Sequence, residues 1–168
     1  MAATNNRIQY QASASFTMTI ASLATSSTLV AGRESASLDN TTNDDFDHLI
    51  SGQITTGTSP TAGGIIEVWA VARLDDSVWP DVFDGTESAE TVTSHDILAG
   101  QARLVYAIAV SATSNVAYTF SNVSVRSLFG EMPGVYDLFL VHSTGVNLNS
   151  TGGNHFLTYK RVASTSGG

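Results

Sequence analysis

Six carboxylates crowd the segment LDDSVWPDVFDGTESAE at residues 74–90: Asp75, Asp76, Asp81, Asp84, Glu87 and Glu90. Hard cations such as Ca²⁺ take several oxygen ligands from flexible, carboxylate-rich loops, which makes Asp75, Asp76, Asp81 and Asp84 candidate metal ligands. The spacing is not that of an EF-hand loop, because no Asp-x-Asp-x-Asp-Gly run occurs. The competing reading is a solvated loop whose aspartates build turns by accepting hydrogen bonds from their own backbone. A second acidic stretch, DNTTNDDFD at residues 39–47, offers Asp39, Asp44, Asp45 and Asp47 under the same two readings.

His48, His95, His142 and His155 fall at the expected ends of strands. If residues 136–142 pair with residues 155–160, His142 and His155 approach across one hairpin, but zinc wants four ligands and no third lies nearby in sequence. The chain has no Gly-x-Ser-x-Gly elbow, no phosphate-cradling Gly-Lys-Ser/Thr loop and no His-Glu-x-x-His pair. Each of these motifs places a nucleophile, a phosphate or a metal, so neither enzymatic activity nor a cofactor is expected. Among the aromatic residues, Trp69 in IIEVWAV reads as core. Trp79, in Val-Trp-Pro within a polar loop, reads as an exposed contact for a sugar or a partner subunit.

These residues must be positioned by strands. GGIIEVWAVA, residues 63–72, is apolar but for Glu67 and is bounded by Gly and Asp, the pattern of a buried strand. SFTMTIASL alternates strictly from Ser15 and reads as a half-buried strand. TLVAGRESASL follows, with Gly32 as a bulge or close-approach point. HLISGQITTG is expected to form a long-tipped hairpin with the 63–74 strand. Residues 91–111 satisfy both a helical and an extended period; a strand over 102–111 is preferred, closing a hairpin through SATSN with VAYTFSNVSV. VYDLFLVHS and HFLTYKRVAS complete the set. About eight strands with frequent turn signals point to an all-β fold, an antiparallel β-sandwich of jelly-roll type, with an immunoglobulin-like sandwich as the alternative. The domain is expected over residues 14–163, with a loosely held N-terminal arm at 1–13 and a disordered tail at 164–168.

Composition sets the surroundings. The 168 residues carry a formal charge of −8, with 15 carboxylates against 7 basic residues. The arginines are scattered singly, which opposes binding to a phosphate backbone. No cysteine is present, so neither disulfides nor thiolate metal sites can form. No run approaches the roughly 20 apolar residues of a membrane-spanning helix.

TTGTSPTAGGIIEVW at 55–69 and STGVNLNSTGGNHFLTYKRV at 143–162 resemble small structural proteins of tailed bacteriophages, most of all their head decoration, or cement, proteins. The resemblance covers residues 15–163. It implies a β-sandwich subunit, made in the host cytoplasm, that binds the exterior of an assembled capsid as a dimer or trimer. There it bridges capsomers of the major capsid protein and stabilises them. A tail or neck component is the alternative role, and a carbohydrate-binding sandwich module is a further one. On this reading the 1–13 arm docks on a neighbour, and Arg7, Tyr10 and Trp79 are candidate partner contacts.

Overall fold

The computed structural model describes residues 5–167, with side chains over 7–164. Ten strands run in chain order as β1 (Asn5–Ser15), β2 (Ala31–Glu34), β3 (Leu38–Asp39), β4 (Asp47–Thr55), β5 (Ile65–Ala72), β6 (Ser88–Thr91), β7 (Arg103–Ala109), β8 (Ala117–Ser124), β9 (Val135–His142) and β10 (Phe156–Gly167). Two short helices, α1 (His95–Gln101) and α2 (Val125–Phe129), interrupt them. One sheet has the order β1-β10-β4-β8 and the other β6-β2-β9-β5-β7, with β3 added beside β9. All pairings are antiparallel, and four of them nest: β1 with β10, β2 with β9, β4 with β8, β5 with β7. The fold is an antiparallel β-sandwich, as expected.

The main core lies between the sheets. Ile50, Ile54 and Leu157 from one face Ile66, Val68, Ala70, Leu138 and Leu140 from the other. The six-stranded sheet also has a buried outer face, where Trp69, Val71, Phe139 and Val141 pack against Phe83, Val92, Leu98 and Ala102. Those four covering residues belong to the excursion between β5 and β7, which folds back as a third layer. Burial on both faces explains why β5 and β9 read as continuous apolar runs instead of alternating ones.

Several sequence expectations are corrected by this topology. Residues 48–74 are not a hairpin, because β4 and β5 lie in different sheets. The same holds for the expected β7–β8 hairpin, and β9 and β10, whose pairing would have brought His142 to His155, also lie in different sheets. Residues 16–23 are not a strand. Phe16 and Ile20 are buried as their alternation requires. The segment nevertheless carries the chain from sheet to sheet: Phe16 N–H donates to Leu157 O at 2.9 Å, and Thr17 O accepts from Ala36 N–H at 2.9 Å. The described part of the expected arm, residues 5–13, belongs instead to β1, and residues 164–167 of the expected tail are its partners in β10. Residues 1–4 and 168 lie outside the described residues. Residues 95–101 take the helical alternative, started by Ser94, whose side chain accepts from Ile97 N–H. The helix α2 begins at the last residue of the expected VAYTFSNVSV strand and is started by Ser124 and Asp47: Asp47 accepts from Ser124 Oγ at 2.6 Å and from Arg126 N–H at 2.9 Å.

Candidate functional site

The outermost element is a two-stranded ribbon. β4 pairs with β10 only over Phe156–Val162, while β10 continues to Gly167 against Asn5–Gln9 of β1. Residues 5–9 and 163–167 therefore stand beyond the end of β4. Ile8 and Tyr10 are two residues apart and so share one face of the strand; each is 64 % exposed. β1 is also a sheet edge, which leaves a row of backbone donors and acceptors available to another chain. Arg7, also exposed, is the only charged residue of Asn5–Ser15. The expected contacts Arg7 and Tyr10 both lie on this ribbon, on opposite faces of β1.

Trp79 sits elsewhere. It is half-buried, packs against the outer-face core and lies under the Arg73 guanidinium at 5.3 Å. Its ring fills the space beside Gly85. With Arg73 over the ring and Gly85 at its edge, Trp79 is built into the third layer and is not the fully exposed contact that was expected. Trp69 is core, as expected, with its indole N–H donating to Glu67 Oε2 at 2.9 Å.

The acidic loops do not converge on one point. Asp75 Oδ1 accepts from the N–H groups of Ser77 and Val78, both at 2.8 Å, and those bonds hold its carboxyl below the usual range. Asp81 accepts from Thr93 N–H and hydroxyl at 2.8 and 2.6 Å. Asp84 accepts from Thr86 N–H at 2.7 Å. Asp75 and Asp76 do join Asp39, Arg73, Phe129 and Glu131 around an open cleft of about 550 Å³, whereas Asp81 and Asp84 lie away from it. Among the described residues no three His, Cys, Asp or Glu side chains are placed to hold a metal ion.

His142 and His155 do not pair. His142 faces Thr144 Oγ1 and Leu23 O, both at 3.0 Å, whereas His155 faces Thr55 N–H and Asn149 O. His95 meets Glu67 Oε2 at 2.9 Å. His48 lies between Asp45 and Tyr136 in the core, and Asp45 is in turn held by the Arg161 guanidinium.

Sequence reasoning missed one cluster, the buried carboxyl pair Glu34 and Asp137. A usable signal existed: Asp137 interrupts VYDLFLV just as Glu67 interrupts IIEVWAV, and an acid inside a doubly buried strand must find a partner. Among the described residues no helix is long and apolar enough to cross a membrane. A scan of the chain against protein-family models returned no match, and neither did a search of curated proteins.

Proposed function

We propose that the chain is a structural subunit that attaches to the outer surface of an assembled phage capsid and stabilises it by bridging capsomers. The observation that carries this reading is the β1/β10 ribbon: an uncovered sheet edge with Ile8 and Tyr10 exposed on one face. An extended segment of the major capsid protein, or of a second copy of this chain, pairs with such an edge through main-chain hydrogen bonds and buries the two side chains. The nested strand pairing supports a jelly-roll wrapping. The formal charge of −8 suits an exterior position, away from packaged nucleic acid. A subunit that binds only the assembled shell stabilises it by its binding free energy, through mass action.

The test is co-sedimentation with purified mature shells. Wild type pellets with shells, and the double variant Ile8→Ser, Tyr10→Ser stays in the supernatant while keeping its melting temperature. Wild type remaining unbound removes the reading, and binding confined to tail fractions moves the protein to the neck or tail.

A further inference from the structure

Glu34 and Asp137 stand on adjacent strands, β2 and β9, and each is 0 % exposed. Glu34 pairs with Phe139 in the ladder, which makes Asp137 its diagonal neighbour on the outer face of the six-stranded sheet. Glu34 Oε1 is gripped from above by the third layer, accepting from the N–H groups of Asp84 and Gly85 at 3.2 and 2.7 Å. The other three carboxyl oxygens, Glu34 Oε2 and both of Asp137, are buried and receive no hydrogen bond from any other described group. The two carboxyls are within hydrogen-bonding reach of each other.

Among the described residues nothing around the pair supplies positive charge. Asp84, above it, adds a further negative group. Arg33, next to Glu34 in β2, is committed to Glu87 at 2.6 Å. On β5, Glu67 is held by Trp69 and His95; just past that strand, Arg73 donates to Asp76 O and covers Trp79. Asp81 in the covering loop holds Thr93, and Glu90 of β6 accepts from Ser88. Two ionised carboxylates enclosed without a cation would each lose hydration and repel the other.

We infer that Glu34 and Asp137 share a proton, and that this proton latches the 73–102 layer onto the outer face of the six-stranded sheet. The carboxylic acid of one donates to the carboxylate of the other, so only one negative charge is enclosed, and that charge is met by the Asp84 and Gly85 N–H groups. The loop so held carries Phe83, whose ring meets Phe139 edge-on at 5.3 Å, and Gly85, against which Trp79 packs. When the proton leaves, the second charge must reach water, which requires residues 83–85 to lift and uncovers Trp69, Phe139 and Val141. Burial raises both carboxyls above their ordinary range, Asp137 far more than Glu34. The stabilisation is therefore complete below the ordinary aspartate value of 3.8 and is lost as pH rises through the raised folded values.

Both tryptophans of the chain report on this layer, Trp69 lying beneath it on β5 and Trp79 within it. The full chain is titrated from about pH 5 to about pH 9, below tyrosine ionisation, following tryptophan emission and far-ultraviolet circular dichroism, with EDTA and separately with added Ca²⁺. The expected result is a red shift of emission with rising pH while the β signal persists. Asp137→Asn removes the shift, because the amide stays neutral and donates to Glu34; Glu34→Gln, the reciprocal change, removes it too. Emission that stays flat in wild type overturns the latch, as does a shift unchanged in both variants. Suppression of the wild-type shift by Ca²⁺ also overturns it, since the oxygens then hold a cation in place of the proton.

Discussion

Nδ1 of His48 lies 2.9 Å from the hydroxyl of Tyr136, joining β4 of one sheet to β9 of the other through the middle of the core. Nε2 of the same ring faces Asp45 Oδ2 at 3.2 Å. A carboxylate only accepts, so Nε2 carries the ring proton and Nδ1 accepts from the tyrosine. Asp45 is fixed in turn by Arg161 of β10, whose Nη2 donates to Oδ1 at 3.2 Å. A single polar chain thus ties three strands from both sheets.

Removing the tyrosine hydroxyl leaves His48 Nδ1 buried without a donor. Tyr136→Phe is expected to lower unfolding stability by roughly 1–3 kcal/mol, read from the urea midpoint at constant m-value. A midpoint equal to wild type would show that the hydrogen bond contributes nothing net.

The same chain makes the fold acid-sensitive. Burial lowers the His48 value from its ordinary 6.5 despite the nearby Asp45. Burial pushes Asp45 upward, but Arg161 and His48 outweigh it and hold the carboxyl below its ordinary 3.8. Both groups therefore take up protons more readily in the unfolded chain. Their contribution is whole above 6.5 and declines as pH falls. The melting temperature is expected to fall stepwise below about pH 6.5, and His48→Phe should flatten the upper step. A profile unchanged by that substitution would assign the upper step to another group.

Gly32 is a close-approach point in β2, as its position in an apolar run suggested. A Cβ there would stand 2.6 Å from the Phe139 ring and press on the Leu140 carbonyl. Gly32→Ala is expected to cost about 1–3 kcal/mol, typical of overpacking, and to weaken the β2/β9 ladder. Amide exchange in β2 that stays as slow as wild type would contradict it.

Trp79→Ala removes a half-buried ring from the third layer, at an expected loss of about 2–3 kcal/mol, the low end of large-to-small substitutions. Glycan binding, assayed on an array, should be unaffected. Stability unchanged with a glycan signal lost would return Trp79 to the role of a sugar platform.

The central strands were readable because burial on two faces makes β5 and β9 apolar throughout, and half-burial makes β4 alternate. β1 was not, because a strand standing clear of the core has no apolar face: Arg7, Ile8, Gln9 and Tyr10 are all exposed, so no period marks it. Residues 16–20 show the reverse, a strand-like alternation that buries Phe16 and Ile20 while the backbone changes sheets. Sequence proximity favours hairpins between neighbours, whereas the sandwich nests its pairs, β1 with β10 outermost, then β2 with β9, β4 with β8 and β5 with β7. The turn-making aspartates were legible from their own sequence, since Asp75 and Asp84 each bond the amide two residues on. Asp137 inside VYDLFLV signals that a partner is needed, but not that the partner is Glu34, since their meeting depends on the β2/β9 register, set by residues about a hundred positions apart.

The antiparallel match of Asn5 with Gly167 brings the first and last described residues to one spot at the ribbon's tip. A short linker joining Gly167 directly to Asn5 would close the chain into a ring, and reopening it in a surface loop would leave the sandwich circularly permuted.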